Sequence, residues 1–140
     1  MDIGTLDNRF TITVQEYVEI IRDLQQTAPV ARVKEIAMAR NVTRSSVSTA
    51  LNSLKELGLI QHDHYSYVAL TERGQKLGLL LHQRHQLIFK FLRDILLLDD
   101  EIADKEACRL EHTMSPEALN ALLVYVSKIT GEPFETVTGL

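Results

Sequence analysis

Apolar positions recur at helical spacing through most of this chain, with one interruption. Val14, Tyr17, Val18, Ile21 and Leu24 form a stripe on one helix face. Thr13, with Glu16 three residues on, has capping-box spacing, so a first helix is expected from there. After Pro29, Val33, Ile36 and Ala37 mark the inner face of a short second helix over Arg32–Arg40. Asn41-Val42 makes the turn, because Asn tolerates the left-handed conformation that closes a helix. Thr43 caps a third helix, Arg44–Leu57, with Val47, Ala50, Leu51 and Leu54 inward and Gly58 as its stop. The pattern then breaks. Leu59–Asp63 and Tyr65–Leu70 read as two short strands around a turn near Asp63-His64. Residues 1–12 carry no strong pattern and read as a loose end.

Helical spacing resumes at Thr71, the expected cap of a fourth helix running to about Leu97. That length exceeds what one small domain requires and suggests a connector. An acidic helix, Asp99–Thr113, follows. Ser115-Pro116-Glu117 supplies a cap, a Pro at the first helical position and an early acid, opening a last helix that ends at Gly131-Glu-Pro133. Its Leu119, Leu122, Leu123, Val126 and Ile129 are dense for so short a chain, and much of that surface is expected to join two subunits. The fold class is therefore mainly α: an N-terminal winged helix-turn-helix over residues 1–72 and a C-terminal helical dimerisation domain over 73–140, linked by the helix at about 71–97.

Composition narrows the class. The chain has 140 residues, 45% hydrophobic and 24% charged, with few prolines, which suits one or two ordered small domains. No apolar run is long enough to span a bilayer. The start lacks the basic and apolar regions of a secretory leader, and a single Cys excludes an internal disulfide, so a cytoplasmic protein is expected. The net charge of −4 does not by itself suggest a nucleic-acid partner, but its distribution does. Residues 31–58 hold five cations against two acids; residues 99–111 hold six acids against two cations. A basic segment followed by an acidic one implies two tasks.

The first task reads as DNA binding. The outward face of the third helix carries Thr43, Arg44, Ser45, Ser46, Ser48, Thr49, Asn52 and Lys55, small, polar and basic, with no acid before Glu56. Such a face can approach a duplex and donate to phosphates and base edges. Arg32 belongs to the same basic segment, and a wing would bring His62, His64 and Tyr65 beside the DNA backbone. The bland alternative is an ordinary polar helix surface and solvated wing histidines.

The second task centres on Glu106-Ala-Cys-Arg-Leu-Glu-His-Thr-Met-Ser115, which places Cys108, Glu111 and His112 at i, i+3 and i+4. On a helix the three share a face, and thiolate, carboxylate and imidazole together make most of a transition-metal site. The alternative is a buried Cys, a surface Glu and a helix-end His. Glu16 and Glu19, one turn apart, and His82 and His85, likewise, read alone as solvated acids and packed or surface histidines.

Taken together, these halves resemble the diphtheria-toxin-repressor family, which includes the manganese-transport regulators: metal-activated, homodimeric transcriptional repressors. The likeness runs from about Thr13 to Phe134 and is most specific in the Cys-x-x-Glu-His stretch, in Arg84-His85, and in Arg44-Ser-Ser-Val47 at the start of the recognition helix. It implies a ligand set of Glu16, Glu19, His85, Cys108, Glu111 and His112. It also implies Fe²⁺ or Mn²⁺ as the activating ion, with Co²⁺, Ni²⁺ or Zn²⁺ able to substitute in vitro. The implied partners are a palindromic double-stranded operator and a second copy of the chain, with no membrane and no organic substrate. The sequence is a mosaic of the family's branches. Cys108 matches the iron-sensing branch, whereas Glu16 departs from that branch's Met. Two positions of that branch's ancillary site read Phe89 and Asp104, and the SH3-like third domain of longer members is not expected here.

Two other classes compete. One is a winged-helix transcription factor that does not respond to metal. The other is a small metallohydrolase, disfavoured because the chain has neither a Gly-rich phosphate loop nor a His-Glu-x-x-His helix. The chain is expected not to be an enzyme.

Overall fold

A computed structural model describes residues 9–63 and 66–132. The elements are α1 (Ile12–Leu24), β1 (Ala31–Arg32), α2 (Val33–Arg40), α3 (Arg44–Glu56), β2 (Ile60–His62), β3 (Tyr67–Leu70), α4 (Glu72–Lys90), α5 (Asp100–Thr113) and α6 (Pro116–Thr130). The described residues divide into two compact units inside α4, one ending at Leu79 and the other beginning at Leu80.

In the first unit, α1 begins two residues earlier than the Thr13 cap predicts. Thr11 is the cap, its Oγ1 accepting from the Val14 amide at 3.2 Å. The expected stripe is correct at Val14, Tyr17, Val18 and Ile21, all buried. Asn41 closes α2 in the left-handed conformation (φ 59°), and Thr43 caps α3 by accepting from the Ser46 amide at 3.1 Å. Arg32 does not begin the second helix. It lies in β1, which pairs antiparallel with β3 and turns a hairpin into a three-stranded sheet of order β1-β3-β2. Alternation along β3 sends Val68 and Leu70 into the core and leaves Tyr67 exposed.

The junction into α4 is tightly bound. Thr71 Oγ1 donates to the Gly58 carbonyl at 2.6 Å and accepts from the Gly74 amide at 3.1 Å, while Arg73 donates to the Leu57 carbonyl at 2.7 Å. A Cβ on Gly74 would lie 2.1 Å from the Leu59 carbonyl oxygen, so the helix approaches the chain leading into β2 as closely as only glycine allows.

In the second unit, α4 ends at Lys90 and gives way to a wider π-helical turn, Phe91–Ile95, rather than running regularly to Leu97. Leu97 adopts positive φ (60°) and is 80% exposed. Leu87, Ile88 and Leu92 pack with Ala103, Ala107, Leu119, Leu123 and Val126 in one core. This corrects the expectation for α6: Leu119, Leu123 and Val126 belong to the unit's own interior, and the large apolar side chains that the described part of the helix exposes are Val124, Tyr125 and Ile129. Asp99 and Ser115 cap α5 and α6, and Gly131 ends α6 in the left-handed conformation. No helix among the described residues is long and apolar enough to cross a membrane.

Candidate metal centre and nucleic-acid interface

Helical spacing places Cys108, Glu111 and His112 along one side of α5, and burial then sorts them. Cys108 is exposed, His112 is half-buried, and Glu111 is 3% exposed. This reverses the bland reading of a buried thiol and a surface acid. The α5 helix packs Ala103 and Ala107 into the core, and two alanines that small let its backbone approach closely.

Across from α5 stands His85 of α4. Its Nδ1 lies 3.7 Å from Glu111 Oε2, and its Nε2 lies 2.9 Å from Asp104 Oδ1. Ligand atoms of Glu111 and His112 come within 4.8 Å of each other. The imidazole of His85 is raised to about 9, chiefly by the Glu111 carboxylate, with burial opposing and Asp104 adding to the rise. Glu111 Oε1 is buried and has no hydrogen-bond partner among the described residues. An orphaned carboxylate oxygen in the interior is costly unless a cation or donor completes it. Carboxylate oxygens and imidazole nitrogens suit a divalent first-row ion, so this cluster fits a metal. Asp104 is the residue that sequence reasoning set aside; its place two turns before Glu111 on α5 is a helical-face signal that could have found it.

The two α1 acids, Glu16 and Glu19, are both half-buried. Glu16 is ion-paired with Arg40, whose guanidinium lies over the Tyr17 ring at 4.9 Å.

On the third helix, Arg44, Ser45, Ser46, Ser48, Thr49, Asn52 and Lys55 are exposed, as is the cap Thr43. Thr49 Oγ1 donates to the Ser45 carbonyl at 3.1 Å. Arg32 is exposed on β1, and His62 is half-buried at the end of β2. His64 and Tyr65 lie outside the described residues. Sequence reasoning missed Lys34 and Tyr67. With Arg32, Val33, Arg44 and Ser66 they line an open cavity of about 260 Å³.

Comparison with known proteins decides the family. Residues 9–68 match the iron dependent repressor N-terminal DNA binding domain, and residues 71–136 match the iron dependent repressor metal binding and dimerisation domain. The chain belongs to the iron-dependent repressor family. Among this family's members, it is 34% identical over 115 residues to the transcriptional regulator MntR of Escherichia coli, covering 82% of this chain and 74% of that one. It is 30% identical over 117 residues to a helix-turn-helix-type regulator of Methanocaldococcus jannaschii, covering 83% of this chain and 94% of the relative. The iron-dependent repressor IdeR of Mycobacterium tuberculosis is 28% identical over 127 residues, 91% of this chain and 55% of that one. A solved manganese-dependent transcriptional repressor complexed with manganese superposes with TM-score 0.72 at 28% identity, over 85% of this chain and 53% of that one. The crystal structure of T. acidophilum IdeR gives 0.74 at 22% identity, over 93% and 64%, which speaks to the fold alone. The chain thus spans between half and two thirds of the length of these two solved chains.

Proposed function

We propose that this protein is a metal-activated, DNA-binding transcriptional repressor serving iron or manganese homeostasis in the cytoplasm, and not an enzyme. The observation that carries this reading is Glu111: a buried carboxylate with an orphaned oxygen, flanked by His85 and His112, in the segment matched by the metal binding and dimerisation domain.

On this reading Glu111, His112 and His85 hold a divalent ion, with Cys108 as the sulfur ligand and Glu16 and Glu19 of α1 completing the set. When bound, the ion supplies the positive charge these carboxylates lack; Fe²⁺ and Mn²⁺ are the favoured physiological choices. The residues divide the labour. Acids on α1 hold the DNA-binding unit, and Glu111 and His112 hold the dimer unit. The exposed Val124, Tyr125 and Ile129 of α6 supply apolar surface for the second copy. Thr43, Arg44, Ser45, Ser46, Ser48, Thr49, Asn52 and Lys55 then face the operator from each protomer. Two recognition helices held roughly 34 Å apart would match successive major grooves of a palindrome. Metal favours the DNA-competent state only by its differential affinity for that state.

The experiment is an anaerobic calorimetric titration with Mn²⁺ and Fe²⁺, paired with metal-dependent gel shifts on the gene's own promoter. Glu111→Gln and His112→Ala are expected to keep the fold and lose metal-dependent DNA binding. Unchanged shifts in both variants would favour a winged-helix factor indifferent to metal.

A further inference from the structure

The cavity formed by Arg32, Lys34, Arg44, Ser66 and Tyr67 is made where three elements meet: the β1–α2 junction, the start of α3 and the wing strand β3. Among the described residues, its lining holds three cations and no acid. The nearest acid along the chain, Glu35, is turned to the backbone, where its Oε1 accepts from the Arg32 amide at 3.1 Å. Several cations elsewhere in this acidic chain are neutralised within the protein: Arg40 by Glu16, Lys76 by Glu72, Lys90 by Glu132, Lys105 by Glu101 and Arg109 by Glu106. Among the described residues, no ion pair engages Arg32, Lys34 or Arg44.

The site is also built to hold one of these cations in place. Arg32 and Tyr67 are directly paired across β1 and β3, and the guanidinium lies 5.7 Å from the ring centroid. A planar cation resting on an aromatic face keeps its edge N–H groups directed outward, and gives up less side-chain freedom when it binds. The two walls are welded together. The Val33 amide donates to the Ser66 carbonyl at 3.2 Å, and Ser66 takes positive φ (66°), a conformation uncommon outside glycine.

We propose that this cavity seats a phosphate of the duplex backbone flanking the recognition helix, as a clamp that sets how α3 enters the groove without reading bases. Arg32, Lys34 and Arg44 supply the charge. Tyr67 is a positioning residue that holds the Arg32 guanidinium in place. This rests on the DNA-binding reading above. It assigns to the backbone a set of residues separate from Ser45, Ser46, Ser48 and Asn52 on the exposed face of α3.

The test uses the full chain loaded with Mn²⁺, a duplex selected by that protein from a random library, and a scrambled duplex of equal length. Arg32→Ala and Lys34→Ala are each expected to weaken both duplexes by a similar factor, roughly three- to tenfold, and to lower the salt slope of log K by about one. Tyr67→Leu is expected to weaken both by roughly threefold with the slope unchanged, because no charge is lost, and Tyr67→Phe to restore wild-type binding. Circular dichroism and the metal-induced rise in Tm verify that each variant is folded. Wild-type affinity and slope in both Arg32→Ala and Lys34→Ala, with the wild type binding DNA normally, would overturn the clamp and leave the regulator reading standing. Loss confined to the selected duplex would make these residues base readers and also overturn it. Titration of inorganic phosphate into DNA-free protein separates the two sources of the anion. Submillimolar binding abolished by Arg32→Ala would assign the cavity to a free anion instead of DNA. Failure of the wild type to select any duplex would overturn both proposals together.

Discussion

Arg40, the last residue of α2, is ion-paired with Glu16 on α1, and the same guanidinium lies 4.9 Å from the centroid of the Tyr17 ring. The pair raises the Arg40 guanidinium above its ordinary value, Glu16 being the main cause. A proposed metal ligand is thus already engaged, by a cation from the helix that precedes the recognition helix. If Glu16 binds metal, it must leave Arg40. Arg40→Gln is then expected to raise Mn²⁺ affinity by up to about fivefold, the range of a partly exposed ion pair. The increment should vanish in a Glu16→Gln background. Equal Mn²⁺ affinities in Arg40→Gln and wild type, by anaerobic calorimetry, would remove Glu16 from the ligand set.

His85 yields a pH prediction for the metal-free protein. Its folded-state value, about 9, lies above the ordinary 6.5, with Glu111 as the chief cause. The stabilisation is therefore fully present below about pH 6.5 and is lost as pH rises through 9. Tm of the metal-free chain should fall over that window, and the fall should shrink in His85→Gln. An NMR titration placing the His85 ring near 6.5 would contradict the arrangement.

Cys108 is exposed on α5, one turn before Glu111. As a sulfur ligand it should give Co²⁺-loaded protein a thiolate-to-metal charge-transfer band in the near ultraviolet, which Cys108→Ser removes. Cys108→Asp should shift relative affinity toward Mn²⁺ over Co²⁺ by roughly tenfold, since carboxylates suit the harder ion. A Co²⁺ spectrum identical in wild type and Cys108→Ser would exclude the thiol.

Gly74 and Gly78 separate rigid from yielding contacts on α4. A Cβ at Gly74 would meet the Leu59 carbonyl oxygen at 2.1 Å, whereas one at Gly78 would meet Arg22 Cδ at 2.9 Å, on a flexible side chain. Gly74→Ala is expected to cost about 1–3 kcal/mol and lower Tm by several degrees. Gly78→Ala should cost less, because Arg22 can move. Thermal denaturation ranks the two.

Local rules were legible where one residue's chemistry decides its own backbone. Thr43, Asn41, Ser115 and Gly131 act as caps because a hydroxyl in reach of a free amide, or tolerance of positive φ, needs nothing distant. Spacing likewise put Cys108, Glu111 and His112 on α5. The Thr13 capping box failed because Thr11 offers the same hydroxyl two residues earlier, and β1 was missed because two residues carry no alternation.

The sequence by itself determined the helices, the wing, the basic third helix and the Cys-x-x-Glu-His face, since each follows from periodicity or from chemistry within a few residues. Only tertiary structure decided which candidate carboxylate is buried, that Asp104 and Glu111 both face His85, that Arg40 engages Glu16 from 24 residues away, and that Arg32, Lys34 and Tyr67 share one cavity. The physical reason is that charge and burial depend on what packs alongside, and packing partners distant along the chain leave no period in it.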